Sequence, residues 1–366
     1  MKKILSFLII FALLSLSLNQ AYSFISYSSL LDKAGFGHND WDVIFSFLPK
    51  RTEVDILKMS LEMAKMKQKL LFDKDELTLL MIYRWIGENI ELDCSKAAED
   101  DDLEYDTTVY NKGKGTAKGI AKLFATMVKY INIESGIISG ISRSFQDPDA
   151  FVQIHEHYWN YILLNKEYYL IDVSKTIGIC HGLTGVDNQL DLFFGTYPEI
   201  FIRYNYPDDS KWQLLPKNIT KEQFVNQAFL TDCFYLLNMT SISPDSLIID
   251  GKKDTEIIFT YNESSNFSDN ISPTAIYSNE EYELIKYFKF KKSKGKITIS
   301  VDLSNEKIKK LAIAFPFNGP YYIVEGSPVI YKINHSKKKQ LMKTSNLMNT
   351  QFLKKRSYNF LINNIN

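Results

Sequence analysis

Gly115-Thr116-Ala117-Lys118-Gly119-Ile120-Ala121 opens an apolar stretch, IAKLFATMVKYI over residues 120–131, that reads as a buried helix entered through a turn of small residues. Further along the chain come His157-Tyr158-Trp159-Asn160 and then Tyr168-Tyr169-Leu170-Ile171-Asp172. A small-residue turn into a helix, a histidine strand and an aspartate strand give the order nucleophile, base, orienting acid of a thiol enzyme. The base and the acid are present as His157 and Asp172, while the nucleophile position carries the methyl group of Ala117.

The bulk numbers narrow the setting. The chain begins MKKILSFLIIFALLSLSLNQAYS, two lysines before an apolar run and Ala21-Tyr22-Ser23 after it. This is the pattern of a secretory signal peptide over residues 1–23, and it is too short for a membrane-spanning helix. The expected localisation is therefore secreted or extracytoplasmic, with no membrane-spanning segment in the mature chain. Lysine plus arginine and aspartate plus glutamate number 43 each among 366 residues, so no electrostatic footprint for nucleic acid exists. Cys94, Cys180 and Cys233 allow at most one internal disulfide, leaving stability to burial, which 24 Phe, 22 Tyr and 4 Trp supply. Sequons at Asn218, Asn238, Asn262, Asn266, Asn270 and Asn334 would carry glycans only in a eukaryotic host.

Residues 52–72 place Leu57, Leu61, Ala64, Met66 and Leu70 among charges, an amphipathic helical pattern. Asp75-Glu76 starts a second helix, LTLLMIYRWIGENI, with acids where the dipole favours them. The acids Glu99 to Asp102 and Glu104 read as a solvated loop. GIISGIS, YWNYILL and YYLIDVS are strand-like, the last two joined by an Asn165-Lys166 hairpin turn. Asp187 to about Leu237 reads as loop and helix. Beyond Ser241 the runs SLIID, TEIIFTYN, ELIKYFKFKK, GKITISVDL, KLAIAF and YYIVEG predict a β-sandwich of the immunoglobulin-like kind.

Together these segments resemble the transglutaminase-like superfamily, most closely its kyphoscoliosis peptidase branch. Tyr83-Arg84-Trp85-Ile86-Gly87-Glu88-Asn89-Ile90 is similar to the family's tryptophan helix, and Gly115 to Ala121 to its nucleophile turn, with Ala117 where the family has cysteine. His157-x-Trp159-Asn160 through Tyr169-x-x-Asp172 resembles the histidine and aspartate strands. Phe193-Phe194, Pro198, Pro207-Asp208 and Trp212-Gln213-Leu214-Leu215 are similar to the segment this branch carries after its core. The resemblance covers about residues 76–240. It implies acyl transfer or peptide-bond hydrolysis through a thioester, by a thiolate that a helix N-terminus and an imidazolium favour. Alanine performs neither, since removing a triad nucleophile costs on the order of a million-fold in turnover.

The remaining candidates weigh differently. Trp85, Trp159 and Asn160 read as structural. His155 shares a strand face with His157, but no further ligands complete a metal site, so neither metal nor cofactor is expected. Thr116 lacks thiolate acidity. Cys180-His181 follow Asp172 closely, which makes Cys180 the one candidate for a relocated nucleophile.

The expected fold class is α+β: a signal peptide (1–23), a helical segment (24–75), a transglutaminase-like, papain-like core (76–240), a β-sandwich (241–338) and a flexible basic tail (339–366). The expected function is that of a pseudoenzyme that keeps its cleft and the His157–Asp172 pair, with the nucleophile position vacant at Ala117, and binds a protein or peptide, the β domain being the expected place for a stable partner interface. The alternative is an active thiol-dependent protease or transglutaminase with a moved nucleophile.

Overall fold

In the computed structural model, the described residues are 45–69, 75–93, 101–144, 152–177, 192–231, 234–235, 237, 239–262, 289–306, 308–313 and 329–335. The signal peptide, the basic tail, YYIVEG, His181 and all three cysteines lie outside them. The chain divides into two compact units, parting between Asn218 and Ile219.

The first unit is α+β. Helix α1 (Ile56–Lys69) and helix α2 (Asp75–Asn89) precede the short strand β1 (Glu91–Leu92). Helix α3 (Asp106–Lys112), strand β2 (Lys114–Gly115) and helix α4 (Ala117–Tyr130) follow. Strands β1 and β2 pair in parallel, Leu92 opposite Gly115. Next come β3 (Glu134–Ser144), β4 (Gln153–Leu164) and β5 (Glu167–Ile171), then α5 (Pro198–Phe201) and β6 (Asn205–Pro207). The last four strands form one sheet in the order β5-β4-β3-β6, antiparallel throughout.

Alternation along the strands explains the layering. Ile162, Leu164, Tyr169, Ile171 and Val173 join Leu80, Ile86, Leu123, Phe124 and Met127 of the helices in one core. Trp85 belongs to that core, as its sequence setting implies, and stacks on Tyr110 with centroids 5.8 Å apart. The buried face of α1 differs from the sequence reading. Leu57 and Leu61 are exposed, and Ile56, Met59, Met63 and Met66 pack inward at spacings of three and four. The β4–β5 hairpin turns through Asn165 (φ 52°) and Lys166 (φ 69°), both left-handed, as a two-residue turn matched to strand twist requires.

The second unit holds α6 (Lys221–Asn226) and strands β7 (Phe229–Leu230), β8 (Met239–Ser243), β9 (Ile248–Asp250), β10 (Thr255–Tyr261), β11 (Lys289–Ser293), β12 (Lys296–Val301), β13 (Lys310–Ile313) and β14 (Val329–Asn334). One sheet runs β11-β12-β10-β8; the other runs β13-β14-β7, with β9 parallel to β14. Ile257, Phe259, Ile297 and Ile299 of the first sheet share a core with Leu311, Ile313, Val329 and Tyr331 of the second, which makes this unit a β-sandwich. Residues 219–240 go with it, because Ala228, Leu230, Phe234 and Leu237 are buried in the same core. No helix among the described residues is long and apolar enough to cross a membrane.

Lys166 holds a left-handed conformation without being glycine, which costs about 1 kcal/mol. Lys166→Gly is expected to raise stability by about that amount, read as a higher denaturant midpoint at unchanged slope.

Candidate functional site

Ala117 is the first residue of α4, and Thr116 is its N-cap. The Thr116 hydroxyl accepts from the Gly119 N–H at 3.1 Å and lies 3.5 Å from the Leu103 carbonyl, so it serves the cap rather than any chemistry. Of the acidic segment before it, Asp102 is exposed as the sequence reading expects, Glu99 and Asp100 lie outside the described residues, and Glu104 docks. Glu104 pairs with Lys118 at 2.6 Å, Leu103 is buried, and the Leu103 carbonyl accepts from the Thr116 N–H at 3.2 Å. Gly119 permits that approach, since a Cβ there would sit 2.1 Å from the Leu103 oxygen.

Two contacts fasten the start of α4 to the histidine strand. The Lys118 ammonium lies 5.6 Å from the Tyr158 ring centroid, and Asn160 Nδ2 donates to the Ala121 carbonyl at 2.9 Å. Asn160, fully buried, also donates to the Gly136 carbonyl at 3.2 Å and so ties helix, β4 and β3 together. Its structural role follows the sequence reading. Trp159 is buried as well, against Phe201, and lies stacked on His157 with centroids 6.2 Å apart.

The structure brings His157 and Asp172 together. His157 Nε2 is 2.8 Å from Asp172 Oδ2, and both side chains are buried. Asp172 Oδ2 also accepts from Asn205 Nδ2 at 2.8 Å. Its other oxygen, Oδ1, accepts from the Ser174 hydroxyl at 2.7 Å and the Lys175 N–H at 3.3 Å. Burial alone would raise the Asp172 pKa, but the charge and hydrogen bond of His157, with Lys175 and Ser174, outweigh it and hold the pKa below its ordinary value. An ionised carboxylate only accepts, so Nε2 carries a hydrogen directed at Asp172. Among the described residues Nδ1 has no hydrogen-bond partner.

His155 sits edge-on to His157, centroids 5.6 Å apart. Its pKa is pushed down to about 4, first by desolvation and then by Lys175 and His157. The residue keeps an exposed flank, so the desolvation is partial. A neutral His155 near pH 7 adds no positive charge beside the pair. Among the described residues no group of three or more His, Cys, Asp or Glu gathers at metal-binding distances.

Sequence reasoning missed Ser174 and Asn205. Ser174 follows Asp172 by two residues on the turn after β5, and nothing in its residue type marks it. Asn205 arrives on β6, in a segment read as loop and helix, held by Ser142 opposite it on β3 and by the Arg143 N–H to Tyr204 carbonyl bond at 2.8 Å. Its Oδ1 is buried without a hydrogen-bond partner among the described residues, at a cost of about 1–3 kcal/mol.

Residues 70–173 match the family model of the transglutaminase-like superfamily. Human and mouse kyphoscoliosis peptidases are each 29% identical to this chain over 173 residues, covering 46% of it and 26% of the relative. The chain thus spans about a quarter of the length of the curated relatives it matches. Among solved structures, a TGase crystal structure overlaps at 11% identity over 43% of this chain and 40% of that one, with a TM-score of 0.27. The periplasmic domain of TgpA from Pseudomonas aeruginosa overlaps at 12% identity over 39% and 51%, with a TM-score of 0.23. At those scores the overlaps carry no argument.

Two outcomes follow from the geometry. Gly119→Ala forces Cβ into the Leu103 carbonyl and is expected to cost at least about 2 kcal/mol, read by chemical denaturation. Asp172, with its pKa lowered by folding, stabilises the protein above its unfolded pKa, and that stability is lost as pH falls through the folded value. The melting temperature should therefore drop on acidification below the ordinary carboxylate range. Asp172→Asn should melt lower at neutral pH, by on the order of 3 kcal/mol, with a flatter acid limb. Through residues 70–173, which hold the α4 N-terminus, His157 and Asp172, the chain is similar to the transglutaminase-like superfamily, and over 173 residues it is similar to the kyphoscoliosis peptidases.

Proposed function

We propose that this protein is a secreted pseudoenzyme, a transglutaminase-like scaffold that binds a protein or peptide segment where its catalytic relatives cleave or transfer an acyl group. The observation that carries the reading is the buried His157–Asp172 pair, kept at 2.8 Å, on a scaffold whose helix begins with Ala117 at the family's nucleophile position. Lys118 against Tyr158 and Ala121 against Asn160 hold the start of α4 against β4, the strand that carries His157. A helix N-terminus and an imidazole beside it would polarise a thiol, but a methyl group has no proton to give and no lone pair to attack with. What the site still offers is the open Nδ1 of His157 and a helix N-terminus, groups suited to polar contact with an extended backbone. The apolar N-terminal run supports export.

Ala117→Cys tests the reading. Alkylation followed by mass spectrometry from about pH 5 to about pH 9 should show a thiolate forming well below the free-cysteine value of about 8.5. Near pH 6 the new thiol should react at least about tenfold faster than a peptide thiol, with His157→Ala abolishing the advantage. A cysteine at 117 no faster than a free thiol sinks the proposal. In the protein with alanine at 117, His157→Ala should weaken capture of unstructured peptides while the fold persists. Unchanged capture would reduce the pair to a buried structural bond.

A further inference from the structure

The family match ends at residue 173, yet two of the four donors on the Asp172 carboxylate come from side chains beyond it, Ser174 and Asn205. Asn205 is the more telling. It is 1% exposed, it comes from a three-residue strand on the far side of β3 from β4, and its Nδ2 shares Asp172 Oδ2 with His157 Nε2, each at 2.8 Å. Its own carbonyl oxygen is left without a hydrogen-bond partner among the described residues. Turning the amide over would set that oxygen against a carboxylate, so the donor end must face Asp172.

We infer that Asn205, assisted by Ser174, is a positioning residue for His157: it shares the negative charge of Asp172 and so sets how strongly the imidazole holds its proton and which ring nitrogen carries it. Asp172 Oδ2 has two donors to satisfy. While Asn205 takes part of the charge, His157 faces a carboxylate already partly neutralised. Nε2–H remains fixed and Nδ1 remains the acceptor. On the binding-module reading, the neutral form of the imidazole then offers Nδ1 to a hydrogen-bond donor, such as a backbone N–H. The other titratable groups near the pair are His155 on β4 and Lys175 on the turn after β5; the substitutions below leave both in place.

The experiment is an NMR titration of the His157 imidazole, with ring 15N shifts to identify the tautomer, in the protein with alanine at 117 and in Asn205→Leu. Losing the amide donor should move the His157 midpoint up by about half a unit or more, as the carboxylate concentrates its charge on the imidazolium. Ser174→Ala should move it the same way by less. A folded Asn205→Leu protein whose His157 titrates as before overturns the inference. Should the leucine variant fail to fold, Asn205→Ala and Ser174→Ala carry the same expectation and the same refutation. Because His157 is read directly, an inert thiol in Ala117→Cys would defeat the functional proposal alone, and an unmoved His157 midpoint would defeat this one alone.

Discussion

A fully buried carboxylate governs the first unit. Asp172 is removed from water and remains ionised, a state that is prohibitive unless donors replace the lost hydration. Each donor fixes an element. His157 sets the register of β4 against the chain leaving β5, and Asn205 fastens β6. Ser174 and Lys175 shape the turn that carries the chain away from the sheet. Lys175 then reaches back to the Arg143 carbonyl at 3.0 Å, linking that turn to β3. Three separate pieces of chain, β4, β6 and the turn after β5, therefore converge on two oxygen atoms.

The second organising contact is the seam between α4 and the sheet. Asn160 spends its amide on two carbonyls, one from the helix and one from β3. The loop 101–104 closes the opposite flank through Leu103 and Glu104. The start of α4 is thereby held from both sides, a rigidity usually associated with reacting groups that must be preorganised. Here it surrounds the methyl group of Ala117.

Much of this was legible because it is local or carried by motif. The Asn165-Lys166 turn shows in two adjacent residues between alternating runs. The His157–Asp172 pair is separated by a single hairpin, so register alone brings the two strands together. Asn205 was not legible, since a three-residue strand has no periodicity to detect and its partner on β3 lies more than sixty residues earlier. The face of α1 was misread toward Leu57 and Leu61 because methionine fills the core positions. Only the neighbouring helices decide which stripe turns inward. Glu104 was misjudged for a similar reason, as it finds Lys118 only once α4 is in place.

The short strand β6 has a consequence for how such a domain can be passed between proteins. The stretch by which the family is recognised contains the histidine and the aspartate but not the asparagine that completes their environment. An exon or recombination break drawn at the recognised boundary would export a carboxylate missing three of its four donors, Ser174, the Lys175 N–H and Asn205. The folded unit around Asp172 is accordingly longer than the matched stretch and reaches at least to β6.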